Sequence, residues 1–126
     1  MTTMVWFKSG GATYCMPVAA TRGVRLSASL VGLPAPGTDV AGIIPGDPPL
    51  TVIAPLGTGG SQILVVEAGD MTFGLLVDAV TGLRRVAEQD IRSAPQGQHE
   101  PLVCGTVDDG DDLVLVTDPA ALAGRL

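Results

Sequence analysis

Residues 63–86 read ILVVEAGDMTFGLLVDAVTGLRRV, three β-rich apolar runs separated only by reversals that Gly and Asp mark. Ile63–Val66 predicts one strand, Ala68-Gly69-Asp70 a turn, Thr72–Val77 a second strand and Gly82–Val86 a third. The reason is that β-branched and aromatic residues suit a pleated sheet, while Gly accepts the positive φ of a tight hairpin. The stretch reads as a β-meander that is almost all core. With so few reactive groups, it points to a packing or docking module.

The same grammar extends in both directions. Met4–Lys8, the reversal Ser9-Gly10-Gly11 and Ala12–Met16 predict a hairpin. Val18–Arg22 predicts a helix of one or two turns, with Pro17 suited to its start and Gly23 to its stop. Between Leu30 and Gly60, six prolines fall among seven glycines. Proline removes a ladder donor and belongs at strand ends, so Val40–Ile44 and Leu50–Ile53 predict short strands joined by tight turns, one of them Gly46-Asp47-Pro48-Pro49. Beyond the meander, Leu102–Val107 and Leu113–Val116 predict a hairpin that reverses at 108–112. Asp118 is a good N-cap, with Pro119 at the first position of a short helix through Leu122 that ends near Gly124. Many short strands with two small helices indicate an all-β barrel or sandwich.

At 126 residues the chain has the size of a single domain. Hydrophobic residues make up 46% and charged residues 16%, with a mean hydropathy of +0.41, yet no apolar run approaches the ~20 residues that span a bilayer. Direct membrane insertion is not expected, and the apolar excess belongs in the core or on a surface that partners cover. A net charge of −6 with only seven Lys and Arg argues against nucleic acid. The doublet Arg84-Arg85 is too short for a basic patch, and in a strand one of the two points inward. Cys15 and Cys104 lie in apolar contexts with no signal peptide at residues 1–9, which reads as two buried free thiols in the cytoplasm.

A search for chemistry finds no catalytic constellation. Asp108, Asp109, Asp111 and Asp112 surround Gly110, but the spacing is not that of an EF-hand, and two strand-like flanks make this a hairpin turn. The single histidine, His99, sits in a polar loop with no nucleophile elbow elsewhere. Glu67 and Asp78 are isolated carboxylates at strand ends, with no paired acid and base. Gly57-Thr58-Gly59-Gly60-Ser61 lacks the Lys of a P-loop and precedes a strand, so it reads as a turn. No metal site and no cofactor is expected.

Taken in order, Tyr14 before the short helix, Leu33-Pro34, Val40–Ile44, Val65-Val66-Glu67, Gly74–Asp78 with Val80, Leu113–Leu115 and the closing helix resemble the CheW-like family. Gly74–Val86 is the most specific piece. The resemblance implies two small intertwined SH3-like β-barrels with short helices, in one domain over 1–126 with a boundary near 57–62. It further implies a cytoplasmic, non-enzymatic adaptor of chemotaxis signalling. Its expected partners are the regulatory domain of a CheA-type histidine kinase and the tip of a methyl-accepting chemoreceptor.

The positions carried over are Val18, Thr21, Gly42 and Asp47 for the receptor-facing side, and Leu75, Val77, Val80 and Leu83 for the kinase-facing side. The chain departs from the family after Gly42-Ile43-Ile44, where Asn-Leu-Arg-Gly is usual and Pro45-Gly46-Asp47-Pro48 stands here. Asp47 takes the place of the Arg and inverts its charge, while Gly23 stands where an acidic residue is common. The alternative is a CheW-like interaction module with another partner that does not bind receptors, since charge inversion at a docking surface changes which partner fits.

Overall fold

The computed structural model describes residues 1–33, 37–57, 59–93 and 102–126. Pro34, Pro36, Thr58 and the polar loop with His99, over which expectations were stated above, lie outside them. Eleven strands form among the described residues: β1 (Thr2–Ser9), β2 (Ala12–Pro17), β3 (Thr21–Leu26), β4 (Val31–Gly32), β5 (Val40–Ile44), β6 (Leu50–Ile53), β7 (Gln62–Ala68), β8 (Met71–Val77), β9 (Ala79–Val86), β10 (Val103–Asp109) and β11 (Asp112–Thr117). One short helix, α1 (Pro119–Ala123), follows them. The strands make a five-stranded sheet of order β10-β11-β2-β1-β9 and a six-stranded sheet of order β3-β7-β8-β6-β5-β4. This is the predicted all-β class.

Three hairpins fold where Gly marks the turn. Ser9 faces Ala12 across Gly10-Gly11, Ala68 faces Met71 across Gly69-Asp70, and Asp109 faces Asp112 across Gly110-Asp111. The first residue of each turn is a Gly at φ 58, 63 and 63, a left-handed conformation that a side chain would strain. The acidic run 108–112 is thus the reversal of a hairpin. At the C-terminus the Asp118 carboxylate accepts the Ala120 N–H at 3.1 Å, and Pro119 opens the helix.

The meander reading needs correction at its third strand. β8 pairs with β7, but the chain then crosses to the other sheet at Asp78, and β9 pairs with β1 instead. Several hydrogen bonds fix the crossing. The Asp78 N–H donates to the Lys8 carbonyl at 2.9 Å, and its carboxylate accepts from the Gly10 N–H at 3.2 Å. Val80 N–H donates to Gln62 Oε1 at 2.7 Å. As an edge strand β9 is exposed from Thr81 to Arg85, so it is not core; of the arginine doublet, Arg84 faces the barrel interior over the Trp6 ring while remaining exposed.

A second correction applies at 18–22. Only Val18–Ala20 coil, as a 3₁₀ turn, and Thr21 already starts β3. Gly23 does not stop a helix; it sits at a bulge in β3 where the register to β7 shifts. The sheets change at 17–21 and again at 77–79, so the six-stranded sheet is the middle of the chain and the five-stranded sheet takes both of its ends.

What the region 57–62 separates is two successive units with one topology. In the first, hairpin β1-β2 is followed by β3, a 3₁₀ turn at Ser27–Ser29, β4 and the pair β5-β6. In the second, hairpin β7-β8 is followed by β9, a 3₁₀ turn at Glu88–Asp90, a bridge from Arg92 to Thr106, and the pair β10-β11. Strand β3 pairs with β7 of the second unit, while β9 pairs with β1 of the first. Strand β6 runs parallel to β8, and β11 parallel to β2. Each barrel therefore consists of one unit's hairpin and the other unit's remaining strands.

Alternation along the inner strands builds three cores from this interleaving. Val5, Phe7, Tyr14, Met16 and Leu115 point from one sheet, and Leu64, Val66, Phe73, Leu75 and Val77 from the other, into a shared core that α1 enters through Leu122. The residues between them face outward into each barrel's own interior: Met4, Trp6, Cys15, Val114 and Val116 in one, Ile63 and Leu76 with Ile44 and Val52 in the other. Period-2 strands buried on both faces read as continuous apolar runs, which is why residues 63–66 and 114–116 lack polar interruption.

Packing on the inner face of the six-stranded barrel is tight at Gly74, where a Cβ would meet Ile63 Cγ2 at 2.6 Å and Val52 Cγ2 at 3.0 Å. Gly74→Ala should cost about 1–3 kcal/mol in urea unfolding through overpacking. Phe73→Ala should cost about 3–5 kcal/mol, against under ~0.5 for the exposed Leu83→Ala. Equal losses at Phe73 and Leu83 would contradict the core assignment.

The two cysteines divide. Both are free, but Cys15 is buried whereas Cys104 is exposed, contrary to the reading of two buried thiols. Strand β11 lies between β2 and β10, which sets their Cα atoms roughly 9–10 Å apart, too far for a disulfide at ~7 Å. Burial, and next the nearby Cys104 thiol, push the Cys15 thiol up to about 12 from 9.0. Its share of stability should be intact below pH 9 and lost as pH rises toward 12, because the unfolded chain releases that proton first. Unfolding midpoints measured across this window should fall, and fall less in Cys15→Ala; a thiol reagent should meanwhile modify only Cys104 in the native protein.

Candidate protein-docking surface

The six-stranded sheet ends in two edge strands, β3 and β4, and both carry open aliphatic side chains. β3 and β4 are joined by the 3₁₀ turn at Ser27–Ser29, and the Ser27 N–H donates to the Ser61 carbonyl at 3.0 Å. Val24 and Leu26 on β3 are 46% and 64% exposed, and Val31 on β4 and Leu33 just after it are 48% and 43% exposed. Arg25 is exposed among them. Edge strands ordinarily protect themselves with charge, proline or a cover, and a run of open aliphatic residues on one is a docking feature. Arg22 braces the entry to β3. Its guanidinium holds Glu67 through two hydrogen bonds of 3.0 and 3.1 Å and also donates to the Ala19 and Thr21 carbonyls. Glu67 is therefore an ion-pair partner and not an isolated carboxylate.

The receptor-facing positions expected from sequence fall largely at one end of this barrel. β3 runs antiparallel to β7, and β6 parallel to β8, so Val18–Thr21, the connection 45–49 and the turn Gly69-Asp70 all lie where β7 meets β8. Val18 is 36% exposed, and the Thr21 hydroxyl donates to the Val18 carbonyl at 2.8 Å. Asp47 is exposed in the connection, ahead of a cis bond to Pro48. Gly42 is buried, with Val31 O directly where its Cβ would be, so it lets β4 approach β5 and presents no side chain.

The kinase-facing positions do not form one patch. Leu75 and Val77 are fully buried in the shared core, and Val80 is half-buried against it. Leu83 is 62% exposed on the edge strand β9. Its place matches that of Val24 on the other barrel: Gly82-Leu83-Arg84 pairs with Trp6, Val5 and Met4 as Gly23-Val24-Arg25 pairs with Val65, Leu64 and Ile63. The apolar edge at 24–33 escapes a reading by composition, because GVRLSASLVGL resembles any half-buried β segment. Only the sheet order reveals that both strands are terminal.

A cavity of about 530 Å³ opens on the five-stranded barrel and is lined by Trp6, Arg84, Arg85, Arg92, Asp108 and Asp109 among others. Arg84 lies 5.4 Å from the Trp6 ring centroid and bonds both carboxylate oxygens of Asp109 at 2.8 Å. Arg92 stands 3.9 Å from Asp108 and pairs its backbone with Thr106 through two 2.9 Å hydrogen bonds. These contacts join the segment after β9 to β10, so the polar groups here close the barrel. Among the described residues no group of three or more His, Cys, Asp or Glu could hold a metal ion, and no helix is long and apolar enough to cross a membrane.

Comparison with known proteins agrees with this architecture. The scaffolding protein TtCheW from Thermoanaerobacter tengcongensis is similar in fold, with a TM-score of 0.81 at 22% identity over 93% of this chain and 84% of that one. The search of curated proteins finds no match. The family model of the CheW-like domain matches residues 48–126, and with more than half of its length matched the chain belongs to the CheW-like domain family.

Proposed function

We propose that this chain is a non-enzymatic adaptor of a chemotaxis-type signalling system, located in the cytoplasm, that couples a CheA-type histidine kinase to chemoreceptors. The observation that carries this reading is the open aliphatic edge Val24, Leu26, Val31 and Leu33 on a barrel whose inner strands are otherwise closed. An adaptor works by presenting surface, and its residues need shape and hydrophobicity where an enzyme needs nucleophiles and bases. On this reading the kinase regulatory domain docks on the apolar edge. Leu83 serves the equivalent edge of the other barrel.

The receptor tip is assigned to the end of the six-stranded barrel where Val18, Thr21 and Asp47 lie. Asp47 replaces a cation there, so the receptor that fits this chain carries a compensating positive group at that place. A receptor selected for the usual Arg meets a like charge instead.

Titration against the regulatory domain of a histidine kinase from the same genome tests the first assignment. Leu26→Asp and Val31→Asp should each weaken binding at least about fivefold, the scale of an interface anchor, with little change in melting temperature because both side chains are already exposed. Unchanged affinity in both variants would remove the edge from the interface. For the second assignment, Asp47→Arg should strengthen binding to a receptor-tip fragment that prefers the usual Arg by about tenfold. Indifference to that change would place receptor contact elsewhere.

A further inference from the structure

Every barrel in this molecule is completed by strands from both units. The ladders β1–β9, β2–β11, β3–β7 and β6–β8 all run between the first unit, residues 2–53, and the second, residues 62–117. Among the described residues, the ladders within the first unit are β1–β2, β4–β5 and β5–β6, and those within the second are β7–β8 and β10–β11, with a bridge from Arg92 to Thr106. Neither unit alone closes a sheet. Hairpin β1-β2 would bare both of its outer edges without β9 and β11, and so would β7-β8 without β3 and β6. The shared core likewise takes side chains from both, with Val5, Phe7, Tyr14 and Met16 from the first unit against Leu64, Val66, Phe73 and Leu75 from the second.

The two units also match in detail. Gly69 follows Gly10, and Gly82 follows Gly23, at the same spacing along the chain. Both hairpins turn on a left-handed Gly, both crossing strands are offset by an irregularity beside their Gly, and both are followed by a 3₁₀ turn. A two-fold arrangement in which each half donates its strands to the other's barrel is the geometry of two exchanged partners joined in one chain.

We infer that the ladders between the units do not depend on the link joining them, and that this chain can therefore exchange halves with a second copy of itself. In such a dimer the first unit of one molecule closes its barrels with the second unit of another, and reciprocally. All ladders are retained, because each runs within a unit or between units and none runs along the link, which adds to the cores only Leu56 in the shared one and Ala54 against that of the six-stranded barrel. The link lies between Ile53 and Gln62; apart from the Leu56 side chain in the shared core and the hydrogen bonds of Ala54 and Ser61 at its ends, it sets the effective concentration at which one molecule's own halves meet. Exchange closes on itself with two-fold symmetry, so it gives a discrete dimer and not a filament.

Two experiments on the full chain test this. In the first, a protease site is inserted between Gly59 and Gly60 and cut after folding. The fragments should elute together with an unchanged circular dichroism spectrum and part only in denaturant. Fragments that separate without denaturant would overturn the interlocked units. In the second, tagged and untagged uncut chains are mixed, unfolded and refolded over a range of concentrations. A dimer containing both forms should appear, and its ratio to monomer should rise about tenfold for each tenfold increase in concentration, because exchange competes as a bimolecular step. Monomer alone at every concentration would overturn the exchange.

Discussion

The crossing of β3 and β9 between the two barrels is the constraint on which the remaining structure depends. Each leaves a hairpin in one sheet and pairs with the first strand of the hairpin in the other. Without the crossings the chain would be two small barrels of roughly half the length each, a size at which a single core is marginal. With them, the central strands are buried on both faces, and one shared core holds side chains from both sheets. The hydrogen bonds that Asp78 makes to Lys8 and Gly10 therefore matter beyond their modest individual strength, since they hold the chain at the point where it changes sheet.

The crossing strands also determine where the molecule can be touched. A strand that leaves its own hairpin to finish another barrel becomes that barrel's edge, and β3 and β9 are both edges. Edges expose one flank, and here the exposed positions on that flank include Val24, Leu26 and Leu83. The device that makes the core continuous thus leaves an apolar surface open on each barrel. An adaptor needs such surface, and no added domain is required to supply it.

Much of this was legible in the sequence because local chemistry decides it. Gly10-Gly11, Gly69-Asp70 and Gly110-Asp111 announce their hairpins, and Asp118-Pro119 announces its helix. The family resemblance reached the fold through Gly74–Val86. What was not legible depends on pairing across long separations. Residues 82–86 alternate and branch as any strand does, so nothing local says that β9 pairs with β1 and not with β8. For the same reason Leu75 and Val77, which the resemblance offers as contact residues, lie in the core, whereas nothing local marks Val24 and Leu26 as exposed. Burial on both faces and exposure on an edge yield the same apolar letters. The repeat is hidden in the sequence because only scattered positions such as Gly23-Val24-Arg25 and Gly82-Leu83-Arg84 preserve it.

The central claim is that the two barrels are one interlocked body and not two modules in series. Native-state hydrogen exchange across β1, β2, β7 and β8 tests it most directly, since these strands line the shared core from both sheets. The account predicts that their slowest amides open with a single common free energy equal to that of global unfolding. Two separate values, one for each sheet, would show that the barrels open independently and would contradict it.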